Sequence, residues 1–171
     1  MKSALLLCCV PLLAAGSALL GADQPCWDAL KATEGVSRPG LFRPKCDRLG
    51  RYLPQQCRGS VCSCVSPSGE TLSGGEGEYQ THIGGAAQQA CRCARVEFER
   101  SHNKELGVGV SVSCDTKGDY HPVQCLGSGC RCAHPHTGDK LQGEGLEGHV
   151  ADYAQLETRC RQAAAAALEQ Q

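Results

Sequence analysis

Cysteine placement constrains this chain more than any other feature. From Cys26 the spacing runs C-x19-C-x10-C-x4-C-x-C-x26-C to Cys91, and from Cys93 it runs C-x20-C-x10-C-x4-C-x-C-x27-C to Cys160. Two six-cysteine modules therefore stand in tandem, with only Arg92 between them. Inside them YLPQQCRGSVCSC (52–64) returns as YHPVQCLGSGCRC (120–132). A repeat of this kind suits a metal site, a nucleophile with its resolving partner, or disulfide anchors that hold loops in shape.

The leader narrows that choice. MKSALLLCCVPLLAAGSALLGA has Lys2 ahead of an apolar run and small residues at Gly16, Ala18 and Ala22, which predicts a secretory signal peptide over 1–22, cleaved after Ala18 or Ala22. Pro11 and the lack of stop-transfer charges speak against a membrane anchor. Of 14 cysteines, Cys8 and Cys9 leave with the leader, and 14 − 2 = 12 is an even number for an oxidising, extracellular compartment. The remaining aromatics are Trp27, Phe42, Tyr52, Tyr79, Phe98, Tyr120 and Tyr153, against 21 glycines in 171 residues, so the core is thin and needs covalent support. With a net charge of −1, nothing calls for nucleic acid, and paired sulfurs leave no thiol for catalysis, so no enzyme is expected.

Spacing fixes part of the pairing. In an extended strand Cys62 and Cys64 point to opposite faces, so they do not bridge each other. Cys57 and Cys62 flank Arg58-Gly59-Ser60-Val61, a turn that brings them within reach, as Leu126-Gly127-Ser128-Gly129 does for Cys125 and Cys130. Six cysteines allow fifteen connectivities, and spacing excludes some of them without choosing among the rest. Locally, Asp23 can cap a first helix with Pro25 in its opening turn, and CARVEFERSH places Ala94, Phe98 and Ser101 near one face of a second. Gly50 and Gly118 mark turns into strands. Tyr52 and Tyr120 can pack over a disulfide, and Gln56 and Gln124 can satisfy loop backbone groups. RQAAAAALEQQ, 161–171, reads as a helix-prone tail with nothing to tie it down.

Pro44, Cys46, Asp47, Gly50, Tyr52, Pro54, Gln56, Cys57, Cys62, Cys64, Val65, Pro67 and Gly69 together resemble the thyroglobulin type-1 domain. The second module repeats Cys114, Asp115, Gly118, Tyr120, Pro122, Gln124, Cys125, Cys130, Cys132, Pro135 and Gly138. The resemblance implies a small disulfide-rich α+β fold with modules at 23–91 and 92–160, each a short helix, short antiparallel strands and long loops. It implies the pairs Cys26 with Cys46, Cys57 with Cys62, Cys64 with Cys91, Cys93 with Cys114, Cys125 with Cys130, and Cys132 with Cys160. It further implies a secreted, monomeric, reversible inhibitor of papain-like, cathepsin-like cysteine proteases that enters their cleft as a three-loop wedge, with no cofactor. In the first module that wedge is Val36, Ser37, Arg38, Pro39 and Gly40, then Gly59 and Ser60, then Ser66, Pro67, Ser68 and Gly69. Pro39-Gly40 before Phe42 resembles the inhibitory segment of the invariant chain's long isoform. The second module has GVGVSVS (107–113) there, which reads as strand and points to the first module as the active one. Two departures stand out: the family's Trp is replaced by Ser63 and Arg131, and the third-to-fourth cysteine loop is short.

The alternative is an extracellular matrix or growth-factor-binding module without inhibitory activity. Cys130, Cys132, His134 and His136 can be drawn as a zinc site, but Ser66 and Ser68 replace the histidines in the first module and bridges explain the cysteines, so no metal is expected. Arg38, Arg43, Lys45, Arg48, Arg51 and Arg58 against Asp47 alone make a basic stretch suited to heparin-like glycans or an acidic protease rim. GGEGE and QGEGLEG read as flexible connections, and the single Asn103 sits in no glycosylation sequon.

Overall fold

The computed structural model describes residues 24–75, 77–86, 89–103 and 112–170. Helix α1 (Pro25–Lys31) opens on a proline, whose fixed φ suits a first turn and whose missing N–H is no loss there. Gln24, not Asp23, holds the N-cap position and its side chain makes no capping bond; Asp23 lies outside the described residues. Buried Cys26 ties the helix to Cys46 and donates its N–H to Gly50 O at 3.0 Å.

Strands β1 (Gln55–Arg58) and β2 (Val61–Cys64) form a hairpin, β3 (Ser73–Gly74) and β4 (Gly77–Glu78) a second short one, and β5 (Gln80–His82) joins the first sheet in the order β1-β2-β5. The glycine-rich GGEGE segment is therefore the β3–β4 hairpin, because Ser73 pairs with Glu78 and Gly74 with Gly77, and not a loose connection. A short helix, α2 (Ile83–Ala86), and the longer α3 (Arg92–His102) follow. In the second module β6 (Val123–Leu126), β7 (Gly129–Cys132) and β8 (Glu147–His149) repeat the three-stranded antiparallel sheet. A 3-10 turn (Val150–Asp152) leads into α4 (Tyr153–Glu169).

Six disulfides join the cysteines as first to second, third to fourth and fifth to sixth in each module. Two small cores form around them. In the second module Val123, Cys130, Cys132, Leu156 and Cys160 pack together with Leu141, Leu146 and Tyr153, so QGEGLEG supplies both a core side chain and part of β8. The tail after Cys160 is likewise not frayed: α4 runs on through Glu169 and buries Ala164. An alanine-rich segment has the propensity for this, and continuity with a disulfide-anchored helix removes the nucleation penalty that a separate tail would face.

The first core crosses the module boundary. Cys64, Leu72, Tyr79 and Cys91 pack with Ala94, Phe98 and Cys114, so the second module's first helix closes the first module's interior. Half-buried Arg95 donates from Nε to Val65 O and from Nη2 to Tyr52 O, both at 2.5 Å, and burial pulls its guanidinium down to about 10 without discharging it at neutral pH. Tyr79 donates its hydroxyl to Glu97 at 2.6 Å. Where a single-residue linker suggests a restricted hinge, the structure has a continuous packed junction.

Asp119 completes that junction. Its Oδ1 accepts from the N–H groups of Ala90 (2.7 Å) and Cys91 (2.9 Å), and the residue is 2 % exposed. Burial raises its carboxyl from 3.8 to about 6, against the two backbone bonds that lower it. Between those values the folded protein holds a proton that the unfolded chain releases, so stability from this group is greatest below about pH 4 and falls as pH rises through 6. Asp115 faces it as a like charge and His136 as an opposing one. Denaturant unfolding of the wild type at pH 4.5 and 7 should show a drop of about 2 kcal/mol relative to Asp119→Asn, whose amide oxygen still accepts both bonds; identical pH dependence in the two proteins would contradict it.

Candidate functional site

The tip between β1 and β2 is built from sequence upward. Arg58 pairs with Val61, leaving Gly59-Ser60 as a two-residue turn, and Gly59 takes the positive φ of +59° that such a turn demands at its first position. Cys57 stands directly opposite Cys62 with Cα atoms 3.9 Å apart, so the bridge locks the hairpin one pair below the tip. Ser60 O also accepts from Ile83 N at 3.0 Å. Gly59 and Ser60 are both exposed.

Behind the tip, Gln56 is 5 % exposed and works as a clamp. Its Oε1 accepts from Lys45 N (2.9 Å) while Nε2 donates to Lys45 O (2.8 Å) and Leu53 O (2.9 Å), which fixes the segment after the first loop against β1. In that first loop Val36 is half-buried and Ser37, Arg38, Pro39 and Gly40 are exposed. Val36 N donates to Thr33 O and Arg43 Nη2 to Val36 O, both at 3.3 Å, and the Arg58 guanidinium lies 4.3 Å from the Phe42 ring centre.

The third segment turns at Ser66-Pro67-Ser68-Gly69, with Gly69 N donating to Ser66 O and Tyr52 N to Pro67 O, both at 3.0 Å. The Tyr52 ring lies against Gly69: a β-carbon at Gly69 would sit 2.7 Å from the ring edge. Tyr120 meets Gly138 in the same way, at 2.6 Å. Ser66 itself is fully buried, accepts from Glu70 N and shares a 2.8 Å hydrogen bond with Ser68, so it shapes the turn from beneath. Ser68 is exposed, and Pro67 and Gly69 are half-buried. Residues flanking the segments, Phe42 after the first, Arg58 and Val61 beside the tip and Ser63 in β2, line one recess of about 280 Å³ with Gly69, which is the one predicted contact residue among those lining it. Ser63, in the place of the expected Trp, leaves part of that recess open.

The second module reuses the scaffold with other surface chemistry. Gln124 clamps Ser113 and His121, Cys125 faces Cys130 with Cα atoms 4.0 Å apart, and Ser128 O accepts from Val150 N at 2.8 Å. Leu126 is exposed where the first module has Arg58, and Arg131 stands opposite Glu147 where the first has Ser63 opposite Gln80. The stretch expected to be strand in GVGVSVS lies, except for its last two residues, outside the described residues. Cys130 and Cys132 are bridged to Cys125 and Cys160, so the Cys-His motif offers no thiolate, and among the described residues no group of three or more His, Cys, Asp or Glu is placed to hold a metal ion. Nor is any described helix long and apolar enough to cross a membrane.

Two signals escaped the sequence. Asp119 and Arg95 join segments 28 to 43 residues apart. Nothing in their local spacing marks them.

Comparison with known proteins bears on the whole of this arrangement. The thyroglobulin type-1 repeat pattern matches residues 24–83 and again 88–151. Pig (Sus scrofa) thyroglobulin is 34 % identical over 109 residues, 61 % of this chain and 4 % of that protein. The mouse (Mus musculus) H-2 class II histocompatibility antigen gamma chain is 64 % identical over 33 residues, 18 % of this chain and 12 % of the relative. Human (Homo sapiens) nidogen-1 is 50 % identical over 38 residues, 21 % of this chain and 3 % of the relative. The chain thus spans only a small part of the curated relatives it matches.

Proposed function

The chain belongs to the thyroglobulin type-1 repeat family, and on that premise we propose that it is a secreted, non-enzymatic, reversible inhibitor of papain-like cysteine proteases. The observation that supports this reading is the tying of residues beside the loops, through Cys57–Cys62, the Gln56 clamp and Arg58 on Phe42, next to one recess that Phe42, Arg58 and Gly69 line. A protruding edge of this kind enters a cleft as substrate does but is not free to relax into the extended pose that cleavage needs. Because the loops are already ordered, little conformational entropy is lost on binding, and affinity follows from contacts alone. The inhibitor supplies no reacting group. Ser37, Arg38, Pro39 and Gly40, Gly59 and Ser60, and Pro67, Ser68 and Gly69 are its contact residues, with Val36 and Ser66 as supports. Secretion is part of the reading, supported by the leader-like residues 1–22 and by six bridges that need an oxidising compartment.

Titration of the purified, fully oxidised protein against papain and a cathepsin L-like enzyme should lower activity stoichiometrically. Full activity at micromolar protein would sink the proposal and favour a matrix or growth-factor-binding module.

A further inference from the structure

We propose that the exposed basic face of the first module binds sulphated polysaccharide, and that bound glycan covers the same loops that would meet a protease; this second half rests on the reading above. Between positions 38 and 58 the chain carries Arg38, Arg43, Lys45, Arg48, Arg51 and Arg58 against Asp47 alone. Arg51 is spent on Asp47, its Nε 2.8 Å from Oδ2. Among the described residues none of the other five cations forms an ion pair, and all five are exposed. The chain as a whole has a net charge of −1, so the cations are concentrated by position and not by composition.

The fold brings them to the rim of the loop cluster. Arg58 stacks on Phe42 at the end of the first loop, Arg43 reaches back to Val36 O, and Lys45 is pinned beside β1 through its backbone by Gln56. Arg48 stands on the neighbouring turn that Gly50 closes onto Asp47 O. Glu78 is the acid lining the same recess as Arg58, and its carboxylate is engaged by Gln80. Stacking orients a guanidinium without using up its in-plane N–H groups, so Arg58 still presents a fork suited to the oxygens of a sulfate. Cations spread over separate segments, with Leu49 and Leu53 as the large hydrophobic side chains exposed among them, suit a flexible linear polyanion better than a shape-matched protein patch. Neutralising about four sulfates would make affinity steep in salt, falling roughly tenfold to a hundredfold between about 0.15 and 0.5 M NaCl if counterion release operates as on other polyanions.

The test uses the intact, six-disulfide protein on immobilised heparin, with fully desulfated heparin as the second arm. Retention at about 0.15 M NaCl, release near 0.5 M and no retention on the desulfated polymer are expected. Arg43→Ser/Lys45→Ser/Arg58→Ser should abolish retention. Should that variant misfold, Lys45→Ser/Arg48→Ser, whose side chains make no described contact, should still lower affinity by about tenfold. Passage through the column at physiological salt, equal binding to desulfated heparin, or undiminished binding by the variants would overturn the proposal, leaving an acidic protein rim as what the cations meet. Soluble heparin should also displace the wild type from immobilised, inactivated papain; heparin binding without displacement would overturn the shared face. If papain is not bound at all, the inhibitor reading fails while the heparin columns still decide glycan binding.

Discussion

Replacing Cys64 and Cys91 together by alanine is expected to lower stability by about 3.5 kcal/mol, the chain-entropy value for a bridge that closes 27 residues. The same substitution at Cys57 and Cys62, which are five residues apart, should cost only about 2 kcal/mol. Packing widens the gap, because Cys64 and Cys91 are both fully buried in the core that spans the two modules, whereas Cys57 is part-exposed at the hairpin. In thermal unfolding the first variant should therefore fall by roughly 15 °C or more and the second by about half as much. Protease affinity should show the opposite order per unit of stability lost, since the short bridge is the one that holds the tip. A larger thermal loss from the short bridge would mean that the long one does not anchor the core.

The second large effect lies at a glycine. Gly118 has φ +81°, and a β-carbon there would sit 2.8 Å from Cys64 Sγ, 3.0 Å from the Ala94 β-carbon and 3.2 Å from that of Tyr79. Gly118→Ala thus meets a backbone penalty of about 1–2 kcal/mol and overpacking of about 1–3 kcal/mol against groups that cannot easily retreat. Gly127 at φ +59° has nothing within 4 Å and isolates the backbone part alone. Urea unfolding should place Gly118→Ala about 2–5 kcal/mol and Gly127→Ala about 1 kcal/mol below wild type. Equal losses at the two sites would show that the junction is not tightly packed.

These two cases also mark what a reader of the sequence alone can and cannot see. The five-residue interval between Cys57 and Cys62, with Gly-Ser inside it, dictates a bridged hairpin because turn geometry and disulfide reach are local properties. The same holds for Gln56 and Gln124, whose amides had loop groups within reach on either side. Gly118 looked like a turn residue, which it is; that its α-carbon also lies against another module's sulfur is a tertiary fact with no local trace. Ser66 looked like an exposed loop residue because serine usually is one, but a turn folded over a tyrosine ring places it inside. The GGEGE segment looked slack for want of side chains, yet Leu72 and Tyr79 on either side of it are buried and draw the two arms together. The proposed contact loops, their charges and the Gln56 clamp were legible, whereas buried Ser66 and the packing across the module boundary were not.

The crossing of the boundary by α3 has a bearing on how the chain matures. A nascent first half that has emerged only as far as Cys91 still lacks Ala94, Phe98, Cys114 and the backbone around Gly118, so its apolar interior stays open until about 30 further residues leave the ribosome. In that interval the Cys64 sulfur would be unsheltered. Synthesis order and pairing order are thereby coupled: the amino-terminal unit is finished by its successor.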